Sequence, residues 1–349
     1  MLLIQMRGKP TDVINHRRYP VCFRWISVRA THRLVVLLLL LSLSSASAMA
    51  RSIVDVLVVS SAESSVYQSV VSSLRSHLAE SCNISDINCT LPKIREATLN
   101  NWAEQIDGMD PNSVILTLGR SAAKQVKIRS ENPPHVVNAL IPKAAADQLS
   151  LDSTAHRNTT IYLDQPIRRQ LRLTAIAKPN ARVGVLLGPT TQELRPRIEQ
   201  EAAKLGLLVN YRNIMKEEMI GPSLKNLLNN SDILLALPDQ VIYSRKNLFN
   251  ILLSSYHSKV PVIGFSSAYV KAGAIAAVYS SPEDIGRHLA DIFGTMLREE
   301  INGSHPAHHH EYPKYFSVDI NKSVSKSLHS HLPSRKEIMS ILSNKGERE

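Results

Sequence analysis

The chain is poor in the signatures of the commoner enzyme classes. Across its 349 residues no Gly-x-Gly-x-x-Gly follows an apolar run, and no Gly-Lys-Ser/Thr occurs. Neither Gly-rich phosphate cradle is therefore written in it. No Gly-x-Ser-x-Gly elbow is present, and no spacing pairs a nucleophile with a base or an acid with a base. An enzyme of unknown reaction stands only as an alternative. Catalytic residues, a cofactor and a bound metal are not expected.

Cysteine is scarce. Of three, Cys22 lies near the N-terminus, and Cys82 and Cys89 flank the short polar stretch "CNISDINC". In an exported chain such a pair forms a small disulfide loop, and the alternative is two free thiols. A metal would need further ligands nearby, and none is evident there. His305, His308, His309 and His310 crowd "SHPAHHHEYP", but adjacent histidines in a Pro-flanked stretch cannot all turn to one ion, which favours an exposed linker.

Aromatic residues make up 5% of the chain, and no dense Lys/Arg run occurs beyond residue 50. The net charge of +11 is therefore a weak sign of nucleic acid. Its source is local. Arg7, Lys9, Arg17, Arg18, Arg24, Arg29 and Arg33 face one acid, Asp12, in the first fifty residues, which leaves 34 basic against 29 acidic groups elsewhere.

Long apolar runs are also few. "LVVLLLLLSL", residues 34–43, follows Arg29 and Arg33 and precedes "SSASAMA", with Ala-x-Ala at Ala46/Ala48 and Ala48/Ala50. Basic flank, short apolar core and small residues are the three parts of a secretory signal peptide. The core falls short of the roughly 20 residues that a spanning helix needs. Residues 1–50 are expected to be leader and the protein periplasmic, with an uncleaved anchor as the other reading.

What is present is alternation. "IVDVLVVSS", "SVILTLGRS", "HVVNALIPK", "TTIYLDQ", "ARVGVLLGP", "LLVNYRNI", "DILLALPDQ" and "VPVIGFSS" are apolar runs that end in small or polar residues. Between several of them lie stretches with helical spacing, such as Tyr67, Val70, Val71, Leu74 and Leu78, or Ile198, Ala202 and Leu205. Near-continuous apolar strands between amphipathic helices predict doubly wound parallel sheets covered on both faces. "NTTIYLDQPIRRQ" reads as a crossing, after which "ARVGVLLGPTTQEL" restarts the pattern. Two α/β lobes are expected, the first from 51–162 and 276–312, the second from 163–275 and 313–342, with 343–349 as a tail. "SPEDIGRHLADIFGTMLREE" is expected to pack as a helix on the first lobe.

In open α/β sheets ligands sit outside the carboxyl ends of the strands. The candidate ligand-binding residues at those ends are Ser60, Ser61, Gly119, Ser121, Thr190, Asp239, Ser266, Ser267 and Tyr269. Helix N-termini after such loops suit a carboxylate, and Asp239 suits an ammonium. Each residue also has a plainer role. Ser and Thr cap helices, Asp239 caps a helix starting near Tyr243, and Tyr269 packs with its hydroxyl satisfied.

The stretch from "LLALPDQVIYSRKNLFNILLSSYHSK" to "VPVIGFSSAYVKAGAIAAVYSSPEDIGR" resembles the second lobe of ABC-transporter substrate-binding proteins of the tryptophan/tyrosine-binding type. "LDQPIRRQLRLTAIAKPNARVGVLLGP" and "YPKYFSVDINKSVSKSLHSHLP" are similar to other stretches of that family. The resemblance spans roughly residues 53–342. It implies a type I periplasmic-binding-protein fold, a multi-strand hinge, and a small ligand such as an amino acid between the lobes. It implies a membrane permease or a receptor as partner, the latter for a sensory module. A monomer is expected. Where aromatic-amino-acid binders carry an Asp-Asn-Thr type loop, this chain has "PDQVIY".

Overall fold

The computed structural model describes residues 55–84, 91–106, 109–110, 113–129, 134–151, 158–301 and 310–343. The leader, the Cys82–Cys89 pairing and His305, His308 and His309 lie outside what it describes.

The apolar runs become short strands that are buried on both faces. In chain order the elements are β1 (Asp55–Ser60), α1 (Ser65–Ile84), β2 (Lys93–Thr98), α2 (Trp102–Ile106), β3 (Val114–Leu118), α3 (Arg120–Arg129), β4 (His135–Ile141), α4 (Lys143–Gln148) and β5 (Asn158–Tyr162). The chain then passes through α5 (Ile167–Ala177), β6 (Arg182–Leu187), α6 (Arg195–Lys204), β7 (Leu208–Asn213), α7 (Ile220–Asn229), β8 (Ile233–Leu235), α8 (Arg245–His257), β9 (Val262–Gly264), α9 (Ser267–Ala272) and β10 (Ala276–Tyr279). It ends with α10 (Pro282–Ile301), β11 (His310–Glu311), β12 (Ser317–Ile320), α11 (Lys322–Ser327) and α12 (Arg335–Ser343).

Two six-stranded sheets result, ordered β11-β5-β4-β3-β1-β2 and β12-β10-β9-β8-β6-β7. Every pairing is parallel except β10 with β12. Each sheet reverses its order beside its first strand, which is the doubly wound topology.

Burial explains the runs. Val56, Leu57, Val58 and Val59 are fully buried, alternating between the core under α1 and the core under α2 and α3. Each such side chain contributes about 1.5–3 kcal/mol by leaving water. The helix at 282–301 packs on the first lobe, as its sequence predicts. Ile285, Leu289 and Phe293 lie against Val70, Leu74 and Leu78 of α1 in one cluster. The cores of the second lobe lie on the two faces of its sheet, around Val183, Val185 and Leu187 on one side and Leu186, Leu234 and Val262 on the other.

Two elements depart from expectation. Residues 276–279, assigned above to the first lobe, form β10 of the second sheet, because Ala276 and Ala277 pair with Ile263 and Gly264. The second crossing therefore falls between Tyr279 and Pro282. His310 is no plain linker residue either: it pairs with Thr160 as the start of β11.

The three crossings fix how the lobes meet. The first leaves the carboxyl end of β5 for the start of α5. The second leaves the carboxyl end of β10 for the start of α10. The third leaves the carboxyl end of β11 for β12, whose antiparallel course begins beside Tyr279. All three run from the carboxyl edge of one sheet to the carboxyl edge of the other, so those edges face each other across the crossings.

Candidate functional site

The carboxyl edge of the first sheet is built on backbone close to side chains. Ser60 ends β1 beside Leu118 and Thr98. Ser61 Oγ accepts the N–H of Ala122 at 2.9 Å, so this hydroxyl caps the first turn of α3 from a neighbouring loop. Gly119 sits between them with φ +88°, and a Cβ there would lie 2.6 Å from the Tyr67 hydroxyl and 2.8 Å from Ser61 Oγ. Glycine is required twice over, by its left-handed backbone and by its neighbours. Ser121 is exposed on the first turn of α3. Tyr67 is half-buried on α1, and its hydroxyl has no hydrogen-bond partner among the described residues.

The same edge continues through β4, whose register shifts between Asn138 and Ile141. Leu140 takes φ +59° there, a strained value for a branched residue. The bulge turns the chain toward Pro142 and Lys143, beside the first crossing, where Leu163 donates its N–H to Ile141 O at 2.9 Å.

On the second sheet Thr190 and Asp239 meet. Asp239 is 3% exposed. Its Oδ2 accepts the Thr190 hydroxyl at 2.7 Å and the Thr190 N–H at 3.1 Å. Its Oδ1 accepts the N–H groups of Val241 and Ile242 at 3.0 and 3.3 Å. The carboxylate thus closes the turn after β8 and clips it to the loop after β6. A Cβ on Gly188 would lie 2.4 Å from Asp239 Cγ, so the two loops touch at the backbone. Of the two roles set out for Asp239, the capping one is what these hydrogen bonds display.

The loop after β9 distributes its hydroxyls unequally. Ser266 precedes α9 with extended backbone, and its side chain makes no capping bond. Ser267 hydrogen-bonds through its side chain to Asp319 and Tyr279. Tyr279 in turn donates to Asp319 Oδ2 at 2.7 Å. Burial alone would raise the Asp319 carboxyl, but the hydrogen bonds from Ser267 and Tyr279 and the charge of Arg335 hold it below its ordinary value. Tyr269 is 6% exposed, donates to Tyr243 O at 2.8 Å, and stacks at 4.3 Å on the half-exposed Phe265. Burial raises the Tyr269 phenol above its usual range.

The crossings are locked to one another. Gln165 of the first donates to Ser280 Oγ of the second at 2.9 Å, and Ser280 donates to Tyr315 O of the third at 2.6 Å. Arg169, 5% exposed, donates to Gln165 Oε1 at 2.7 Å and to Pro313 O at 3.1 Å, and lies 4.2 Å over the Phe316 ring. Ser317 on β12 donates to Asp284 Oδ2 on α10 at 2.9 Å.

The structure therefore brings Ser61 together with Gly119, and Thr190 with Asp239. Ser266, Ser267 and Tyr269 share one loop but face different partners. Among the described residues no hydrogen bond joins the first-sheet set to the second-sheet set. Tyr67, Phe265, Asp164 and the Gln165–Ser280 link were not singled out by the sequence. The visible signal for Asp164 was its place between a strand end and Pro166. No group of three or more His, Cys, Asp or Glu among the described residues is arranged to hold a metal. No helix among them is long and apolar enough to cross a membrane.

Two doubly wound parallel sheets whose carboxyl edges face each other across three crossings define a two-lobed solute-binding fold. Solved structures share it. A ligand-free, open substrate binding protein with adhesive properties from Clostridium difficile is 16% identical, with a TM-score of 0.61, covering 81% of this chain and 97% of that one. An ABC domain from Streptococcus pneumonia in complex with L-Trp is 16% identical, with a TM-score of 0.54, covering 83% and 98%. A conserved domain protein from Vibrio cholerae is 19% identical, with a TM-score of 0.54, covering 82% and 97%. Among curated proteins none matches. The chain belongs to the ABC transporter substrate binding protein family, whose model matches residues 52–335. Membership implies a small-molecule ligand and a transporter permease as partner.

Proposed function

We propose that the protein is an extracytoplasmic solute receptor that captures a small polar ligand, an amino acid or a close relative, in the cleft between its lobes and presents it to an ABC-type importer. The single observation that carries this reading is the direction of the crossings. All three connect carboxyl edges, so the loops that end β1, β3 and β4 oppose those that end β6, β8 and β9. Side chains there divide into two kinds. Ser61, Asp239, Ser267 and Tyr269 are engaged in holding their loops. Ser60, Ser121, Ser266 and Tyr67 keep hydrogen-bonding capacity among the described residues and are the groups open to a solute. Thr190 and Gly119 shape the walls from which those groups project.

The mechanism is closure about the crossings. A ligand touching both lobes favours the closed state by its extra contacts, and the permease reads that state. On this reading the cleft binds its solute without transforming it, as the substrate-binding family does.

Native mass spectrometry of the freshly purified exported protein tests this. A co-purified compound of amino-acid size is expected, released on denaturation and restoring its mass shift when added back. Binding that survives steric blocking of the cleft with a bulky label on Ser266→Cys would overturn the site.

A further inference from the structure

Among the described residues, the buried and half-buried carboxylates near the carboxyl edges have side-chain or cationic partners, with one exception. Asp239 accepts five donors, the Thr191 hydroxyl at 3.5 Å among them. Asp291 pairs with Lys314, and Asp319 with two hydroxyls and Arg335. Asp284 accepts Ser317 Oγ and the Ser281 N–H.

Asp164 differs. It lies in the first crossing, two residues beyond the end of β5 and beside the bulged end of β4. Its Oδ2 accepts the Lys143 N–H at 2.5 Å, and its own backbone N–H is the only other donor recorded for it. No side-chain donor and no ion-pair partner reaches it among the described residues. The ammonium of Lys143 acts on it only through its charge, because Lys143 Nζ binds both oxygens of Asp147 at 2.8 and 2.9 Å and lies 5.2 Å over the Tyr162 ring. Tyr162 packs edge-on against Tyr312 of the third crossing at 5.4 Å, which walls this corner with aromatic rings.

A half-buried carboxylate without a direct ion pair is an unfavourable arrangement in a resting protein. Desolvation, helped by the charge of Asp147, pushes the Asp164 carboxyl up, against two backbone hydrogen bonds and the more distant charge of Lys143. Such groups persist where a ligand completes them. The position fits that account, since the crossing forms the floor where the two carboxyl edges converge.

We propose that Asp164 receives the cationic group of the solute, which makes the ligand an ammonium-bearing compound anchored at the hinge end of the cleft. This rests on the solute-binding reading above and names the residue and the ligand chemistry within it. Asp239 then shapes the second-lobe wall and leaves the charge pairing to Asp164.

Differential scanning fluorimetry and calorimetry on the full exported protein, freed of co-purified solute, test the assignment. The probes are the standard L-amino acids, ethanolamine and putrescine, their N-acetylated counterparts, and neutral D-glucose and D-ribose. At least one ammonium compound is expected to raise the melting temperature of the wild type, and its N-acetyl form is not. Asp164→Asn should weaken that compound by about tenfold or more, as loss of a buried charge partner does. Asn still offers an oxygen to the Lys143 N–H, so the unliganded melting temperature of Asp164→Asn should equal or exceed that of the wild type at neutral pH. Affinity retained in Asp164→Asn, or an N-acetyl compound binding equally well, would overturn the proposal. A neutral sugar as the sole stabilising compound would overturn it while leaving a solute receptor in place. A panel without any stabilising compound would count against both.

Discussion

The side-chain amide of Gln165 donates to the hydroxyl of Ser280 at 2.9 Å, joining the first crossing to the second. Because Ser280 passes a hydrogen bond on to Tyr315 O, and Arg169 ties Gln165 to Pro313 O, the three crossings form one connected network. Its members are part-buried or buried, so each bond lost leaves a partner unsatisfied.

Gln165→Ala is expected to cost about 1–3 kcal/mol, because it strips the buried Arg169 guanidinium of an acceptor as well as breaking the Ser280 bond. Ser280→Ala should cost about 1 kcal/mol. The double variant should cost less than the sum, since both changes break the same link. Denaturant melts of the four proteins measure this, and strict additivity would show that the crossings are not coupled.

Asp239 makes a sharper case through the order of its variants. Asp239→Ala removes the acceptor for five donors and is expected to lose about 2–4 kcal/mol of stability. Asp239→Asn keeps one oxygen for Val241 and Ile242 but turns an NH2 toward the Thr190 N–H, so its loss should be intermediate. The folded Asn variant should bind solute within about fivefold of wild type, a shift below the tenfold that 1.4 kcal/mol represents. Thermal melts together with calorimetry give both quantities. A large affinity loss in an otherwise stable Asp239→Asn protein would return the ammonium to Asp239.

Gly119→Ala should destabilise by about 2 kcal/mol or more, from its φ of +88° and from a Cβ placed 2.6 Å from the Tyr67 hydroxyl. Tyr67→Phe removes that oxygen and should restore part of the loss in the double variant. The unrelieved share measures the backbone strain together with the crowding at Ser61. Melting curves that show no recovery at all would mean that the crowding at Ser61 Oγ dominates.

Export has its own readout. The mature chain is expected to begin near Arg51, after the Ala48 and Ala50 pattern. N-terminal sequencing of the secreted form checks this. Recovery of residues 20–45 intact in a membrane fraction would establish the anchor reading instead.

Much of the fold could be read because burial imposes a simple pattern. Strands such as Val56–Val59 and Ile233–Leu235 are covered on both faces, so they appear as unbroken apolar runs. The strand Lys93–Thr98 did not stand out. It is the edge of its sheet, and Ala97 is its one buried residue, with Ile94 half-buried and the others polar. β11 escaped because two residues carry no period. The 276–279 boundary slipped because the helix start at Pro282 marks the crossing better than the small residues before β10 do. For the candidate residues, places at strand ends were legible and hydrogen-bond partners were not. Asp239 is decided by Thr190, 49 positions away, and Tyr269 by the carbonyl of Tyr243, which local sequence does not reveal. Asp164 is conspicuous only for the cation it lacks, a property of three-dimensional surroundings.

The packing of α10 on α1 has a temporal consequence. Ser73 and Glu283, whose hydroxyl and carbonyl are joined at 2.9 Å, stand 210 positions apart. The core shared by Val70, Leu74, Ile285 and Phe293 cannot close until most of the chain has been synthesised. Loop closure over such a span is slow to be rewarded, and contacts of this range retard folding. The amino-terminal lobe must therefore wait, incomplete, for a helix made after the whole second sheet but its last strand. An amino-terminal lobe of this design stays open for most of the chain's synthesis.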